Sequence, residues 1–269
     1  LMSCISPIPS VKERDTETGK FRVLFNVKGW EGRDVIFLPS SRCVGCRANQ
    51  SLTWAIRCYH ESLSYSQNSF LTLTYRDPCP ATLDPDHLRL FWMRARKKFG
   101  KLRYFACGEY GDMTRRPHYH ALIFGHDFLE GSVRDCTGTF YHPELDECWG
   151  HGFVDVGSLE FPSILYVAGY ASKKLGDSDT FNRMSRKPSI GRKWFDAHSD
   201  DLRRIGSVVI EGTEYPIPAR YFEWDSSDSL QPVKDDRSLR FAGVSPSERE
   251  LVARRVTYQQ RLKSRKEKI

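Results

Sequence analysis

Two strand-like runs lie close together in this chain, LRYFACGEY at residues 102–110 and PHYHALIFG at 117–125, joined by the polar, Gly-containing GDMTRRP. Apolar runs bounded by Gly and Pro read as strands, and a short polar link between two of them reads as an antiparallel hairpin with a loop longer than the tightest class. This hairpin also places His118 and His120. Residues two apart on a strand share a face, so the two imidazoles point one way and Tyr119 the other. On the neighbouring strand Glu109 stands nine positions before His118. A carboxylate there completes a two-His-one-carboxylate set with open positions for water or phosphate. Taken alone the pattern has two readings, structural histidines or a divalent-metal site.

The flanking sequence supplies helices and more strands. NQSLTWAIRCYHESL spaces Leu52, Ala55, Ile56, Tyr59 and Leu63 as a helical stripe, and NSFLTLTYRDPCP follows as a strand of alternating Thr stopped by Pro78. LDPDHLRLFWMRARKKFG predicts a second helix, with Asp84 as N-cap, Pro85 at the first position, an apolar stripe of Leu88, Phe91, Trp92, Ala95 and Phe99, and Gly100 as terminator. A short strand, GFVDVG, precedes the helix SILYVAGYASKKL. Beyond residue 176 the sequence reads as polar and irregular, with the linker-like DSSDSLQPVKDDRS. A last helix is expected to open on SPSE, where Ser245 and Glu248 fit a capping box with Pro246 in the first turn. The expected division is a Cys-containing segment at 1–47 packed on a main domain at 48–225, then a linker and basic helix at 226–269.

Composition narrows the function classes. At 269 residues, 39% hydrophobic and 13% aromatic, the chain can bury one substantial core. No apolar run approaches the ~20 residues of a membrane helix, so no membrane partner is expected. The opening LMSCISPIPS has no charged segment followed by an apolar core, and the expected location is cytoplasmic, with the eight cysteines kept as thiols or metal ligands. A net charge of +7 points to a polyanionic partner. Much of it is local: residues 245–269 carry eight Lys/Arg against three Glu. Such a run is either a solvated helix face or a nucleic-acid contact.

On the helix after the third strand, Ile164, Ala168, Ala171 and Leu175 form an apolar stripe expected to face the sheet. Tyr166 and Tyr170 are four apart and roughly 200° round from the start of that stripe, with Lys173 continuing their row. Amphipathic packing is one reading of the pair. The other is nucleophilic: a phenolate attacks a phosphodiester to give a covalent phosphotyrosine, and a nearby ammonium holds the phosphate or eases deprotonation.

Taken in order, FLTLTY, GEYGDMTRRPHYHALIFG and YVAGYASKK resemble the three motifs of the HUH endonucleases that start rolling-circle replication, in the two-tyrosine branch. More closely, CVGCRANQSLTWAIRCYHES, CGEYGDMTRRPHYH, YVAGYASKK and MSRKPSIGRKW resemble successive blocks of the replication initiators of gokushovirus-type microviruses, from about residue 40 to residue 195. The resemblance implies an α+β fold, a central antiparallel sheet flanked by helices, with the His pair on a central strand and the tyrosine helix over it. It also implies His118, His120 and Glu109 as ligands of Mg²⁺ or Mn²⁺, Tyr166 and Tyr170 as alternating nucleophiles, and Lys173 as the family lysine. Arg115, Arg116 and Lys174 are candidate DNA contacts. The implied partners are single-stranded DNA at a replication origin and the host replicative helicase and polymerase, in the host bacterial cytoplasm. An HUH transposase or relaxase is the rival within the class, and the pair in YVAGY favours the initiator. A basic single-stranded DNA-binding or packaging protein is the rival outside it; that reading accounts for the charge but not for Glu109, His118 and His120. In the resembled family a further cysteine precedes CVGC by three residues, and Ser40 stands there in this chain. A structural Zn²⁺ site would thus rest on Cys43, Cys46 and Cys4 with a fourth ligand unassigned; two buried thiols is the alternative.

Overall fold

The computed structural model describes residues 4–17, 19, 21–25, 32–33, 35–111, 113–173, 180–235, 247, 249–254, 256–257 and 260. They fall into two compact units, one of residues 1–49 with 203–269 and one of residues 50–202. In the first, β1 (Ile8–Arg14), β2 (Phe21–Phe25) and β3 (Val35–Leu38) form an antiparallel sheet in the order β2-β1-β3. The helix α1 (Val44–Ser62) follows and runs on into the second unit.

The second unit continues with β4 (Asn68–Tyr75), α2 (Pro85–Phe99), β5 (Arg103–Tyr110), β6 (Pro117–Phe124), β7 (Val133–Arg134), β8 (Phe140–Tyr141) and α3 (Pro143–Trp149). After these come β9 (Gly152–Ser158), α4 (Phe161–Lys173), β10 (Phe181–Met184) and α5 (Arg192–Ile205). Back in the first unit stand the hairpin β11 (Val208–Ile210) and β12 (Thr213–Tyr215) and the short α6 (Ala219–Trp224). Seven strands make one sheet in the order β10-β5-β6-β4-β9-β8-β7, every pairing antiparallel. The fold is α+β, a central antiparallel sheet flanked by helices.

Strand parity sorts the side chains of this sheet into two layers. Leu71, Leu73, Tyr119, Ala121 and Val154 face α2 and α3 and are fully buried. Each such Leu or Val stabilises the fold by about 1.5–3 kcal/mol relative to exposure. Tyr119 sits in this layer, away from the histidines, as its parity requires. Its hydroxyl donates to the Asp84 carbonyl at 2.9 Å, accepts from the Asp84 N–H at 3.0 Å, and lies 2.7 Å from the Tyr75 hydroxyl. It thereby fixes the start of α2, whose N-cap Asp84 accepts from the Asp86 N–H and whose terminator Gly100 takes a positive φ of 81°. Gly152, opposite Tyr75, is required by close approach: a Cβ there would lie 2.1 Å from the Thr74 carbonyl oxygen. The other layer, with Phe105, Cys107 and Leu122, is covered by α1 and α4; Trp54 of α1 meets Phe105 at a ring distance of 5.1 Å.

Several expectations need correction. Leu63 lies past the end of α1 and is 55% exposed, while Arg57, His60 and Glu61 on the same helix are buried. The cause is a buried ion pair: Arg103 Nε donates to Glu61 Oε1 at 2.6 Å, and the second Glu61 oxygen accepts from the Gly191 N–H at 2.7 Å. Arg103 also donates to the carbonyls of Lys187 and Pro188, and Arg57 to that of Ile190. These bonds order the segment beyond residue 176 that reads as irregular in sequence, and β10 and α5 flank it. The terminal capping box is also displaced. Ser247 and Glu250 bond reciprocally, the Glu250 N–H donating to Ser247 Oγ at 3.2 Å and the Ser247 N–H to Glu250 Oε2 at 2.7 Å. Ser245, Pro246 and Glu248, like most of the basic tail, lie outside the described residues.

Candidate metal and tyrosine site

The sheet register aligns two rows of residues on the face beneath α4. Glu109 of β5 stands opposite His118 of β6, which stands opposite Thr74 of β4 and, beyond it, Phe153 of β9. The next row on that face runs Cys107, His120, Thr72, Asp155 and Tyr141. Directly paired residues of antiparallel strands share a face, so each row is a line of neighbouring side chains.

Glu109 Oε1 lies 2.9 Å from His118 Nε2 and 3.0 Å from His120 Nε2. Glu109 and His120 are each 5% exposed, and His118 is half-buried. The far nitrogens are oriented from behind: His118 Nδ1 lies 3.1 Å from the Arg116 carbonyl and His120 Nδ1 3.1 Å from Thr72 Oγ1. With Nδ1–H donated to those oxygens, each neutral ring turns its Nε2 lone pair toward the carboxylate. Three lone-pair donors then converge in a buried space, an arrangement that needs a proton or a cation among them. Burial drives the His120 pKa down and Glu109 only partly opposes this, so the ring favours its neutral form. Burial pushes Glu109 up, but its bonds to His118 and His120 outweigh that and leave it below the usual glutamate range. Neutral imidazole and ionised carboxylate are the forms that ligate a divalent ion, and the set fits one.

α4 packs on β5 and β6 through Phe161, Ile164, Val167 and Ala168, all buried. The tyrosine row is not opposite this face. Val167, absent from the expected stripe, widens the buried arc to within about 60° of Tyr170 at 100° per residue. The row therefore flanks the packed face and reaches the metal set. The rings of Tyr166 and Tyr170 lie 5.2 and 5.8 Å from that of His120 and 4.8 Å from each other. Tyr166 is 47% exposed. Lys173 ends α4 three positions after Tyr170; Lys174, Leu175 and the side chains of Ala171 and Lys173 lie outside what is described.

The sequence profile of the "Replication-associated protein ORF2" family matches residues 68–175. A "Replication-associated protein VP4" of Bdellovibrio phage phiMH2K is 36% identical over 212 residues, covering 69% of this chain and 66% of its own length. The chain belongs to this family of replication-associated proteins. Also similar are "Replication-associated protein ORF4" of Chlamydia phage 1, 31% identical with 69% of this chain and 52% of the relative covered, and "Replication-associated protein ORF2" of Spiroplasma virus 4, 28% identical with 84% and 77% covered. The chain thus spans about two thirds of the first of these relatives and about half of the second. No solved structure matches it. The profile match encloses Thr72, Glu109, His118, His120, Tyr166 and Tyr170, so in this replication-associated protein the whole convergent site lies within the family's own region.

Other residues singled out in the sequence lie apart from that convergence. Arg116 pairs with Asp77 at 2.9 Å and donates to the Tyr75 carbonyl, and Arg115, at a positive φ of 54°, lies over the Tyr110 ring. Cys4, Cys43 and Cys46 come together in the other unit, their sulfurs within 4.8 Å of one another. Burial raises the Cys43 thiol, but N–H groups of Cys46 and Ile5 bring it down to about 6; burial and its thiol neighbours raise Cys46 to about 11. Sequence reasoning missed Thr72, Phe153 and Asp155. The alternating threonines of FLTLTY were the available signal for Thr72, since their parity matches that of the histidines. Phe153 is 55% exposed on the same face. Burial, and then the charge of Asp135, push Asp155 above the usual range.

Proposed function

We propose that this replication-associated protein is a rolling-circle initiator that nicks single-stranded origin DNA by tyrosine transesterification and later rejoins the strands. One observation carries the reading: two tyrosine rings one helical turn apart lie against His120 of a buried Glu-His-His set. In the reaction the phenol of Tyr166 or Tyr170 loses its proton, its oxygen bonds to the scissile phosphorus, and the P–O3′ bond breaks as the 3′ oxygen takes up a proton. The phosphodiester energy is kept in the phosphotyrosine, so a 3′-hydroxyl can attack it and reseal the strand. A divalent ion such as Mg²⁺ or Mn²⁺ in the set of Glu109, His118 and His120 supplies neutralisation of the charge that builds on the phosphate. Thr72 and the Arg116 carbonyl hold the two imidazoles in the ligating tautomer, and Lys173, with Arg115, Arg116 and Lys174, is assigned to holding the DNA phosphates. Two nucleophiles allow a second cleavage before the first link is resolved. The freed 3′ end primes the host polymerase behind a host helicase, in the host bacterial cytoplasm.

The test uses overlapping labelled oligonucleotides from the single-stranded genome of the cognate phage, incubated with the protein and Mn²⁺ and run on a denaturing gel. The expected result is a covalent protein–DNA band from one oligonucleotide, abolished by EDTA. Tight binding of every oligonucleotide with no covalent band under any metal would instead identify a single-stranded DNA-binding protein.

A further inference from the structure

We infer that Cys4, Cys43, Cys46 and Ser40 form a second metal site, for a zinc ion held by three thiolates with Ser40 at the fourth corner. The inference is independent of the nicking reaction. A tetrahedral zinc with Zn–S legs of about 2.3 Å has S···S edges of about 3.8 Å, and S···O edges of about 3.5 Å where one leg is an oxygen at about 2.0 Å. Cys4 Sγ and Cys43 Sγ are 3.7 Å apart, Cys4 Sγ and Ser40 Oγ 3.7 Å, and Ser40 Oγ and Cys46 Sγ 3.9 Å. The cluster has the dimensions of the site within a few tenths of an ångström. A disulfide needs sulfurs about 2.05 Å apart, and the described cysteines are all free thiols.

The backbone around the sulfurs suits anionic thiolates. The Ile5 and Cys46 N–H groups donate to Cys43 Sγ, each at 3.5 Å, and the Ser40 N–H donates to Cys4 Sγ at 3.4 Å. Such N–H···S bonds orient ligands and spread the negative charge of a metal-bound thiolate. Cys43 immediately precedes α1 and Cys46 lies in its first turn, where the helix dipole also favours a thiolate. Soft sulfur donors select zinc over the hard ions that suit Glu109, His118 and His120. The ion would staple the chain ahead of β1 to the start of α1, both within the first unit.

Cobalt titration of the full, reduced chain separates the two metal sites, because only thiolate ligation gives sulfur-to-cobalt charge transfer. The expected result is one equivalent of Co²⁺ with an intense charge-transfer band and tetrahedral d–d absorption, displaced by Zn²⁺. Cys46→Ser should lose the band at the same concentrations, and Cys136→Ser, at an exposed cysteine, should keep it. Ser40→Cys should keep one equivalent, move the spectrum toward four-thiolate ligation and tighten binding by about an order of magnitude. Cobalt binding without a sulfur band overturns the site, and a Ser40→Cys spectrum identical to the parent's removes Ser40 from the fourth corner. Should Cys46→Ser fail to fold, the parent and Ser40→Cys spectra still decide the question.

Discussion

Thr72 shows how a residue without chemistry of its own can govern a site. Its hydroxyl holds His120 Nδ1, and removing such an outer partner typically costs about 10–100-fold in metal affinity. Thr72→Val keeps the side-chain shape, so we expect Mn²⁺ affinity to fall by about that factor with a stability loss of only about 1 kcal/mol. Calorimetric titration of Mn²⁺ checks this, and an unchanged affinity would mean that His120 is oriented by packing alone. The ligand set itself was legible before the fold. Strand parity put His118 and His120 on one face, and hairpin pairing put Glu109 beside them. Thr72 was not, because threonine in a strand is ordinary β-former chemistry and only the β4–β6 register gives it a partner. Cys4 was legible as a residue type, but its approach to Cys43 spans 39 positions and depends on a fold that no local pattern encodes.

At the scale of elements, α2 and α4 were readable because caps, proline and apolar spacing agree along each of them. The strands β7, β8 and β10 are two to four residues long and carry no measurable alternation, so the sheet could be read only as its central four strands. The edge matters for DNA. β9 presents Phe153 beside Thr74 and His118, largely exposed next to a site meant for a phosphate. An aromatic ring there is suited to stacking a base, worth about 1–3 kcal/mol per base. Phe153→Ala should therefore weaken single-stranded DNA binding by about that much in fluorescence anisotropy, leaving thermal stability and cleavage at saturating DNA unchanged. A lower melting temperature with undiminished affinity would make Phe153 a packing residue. The junction of α1 and α5 carries a different prediction. His60 is 2% exposed and stacked on Trp194 at a ring distance of 3.4 Å. Burial, reinforced by His198, holds its pKa down to about 3. The unfolded chain takes up this proton near pH 6.5 and the folded one resists until about pH 3. Stability is thus full above about pH 6.5 and falls as the pH drops through that window, by up to about 1.4 kcal/mol per pH unit for this one group. His60→Phe removes the proton and should flatten the acid limb of a denaturation series between about pH 6.5 and 4 by that slope. Parallel limbs for parent and variant would contradict it.

Across the whole molecule, the site exists only because a seven-stranded sheet and one helix bring together residues from positions 72 to 170. The net charge of +7 suits a nucleic-acid partner but says nothing of what is done to it. What turns binding into chemistry in this account is the meeting of α4 with the β5–β6 hairpin, and the two tyrosines report on it directly. The decisive measurement is covalent adduct formation on the oligonucleotide that carries the nick site, with Mn²⁺ present, by Tyr166→Phe, Tyr170→Phe and the double variant. Each single variant is predicted to retain some adduct, unequally, and the double variant to form none, while all three still bind the DNA. An adduct formed by the double variant would contradict the account, because the nucleophile would then lie outside α4.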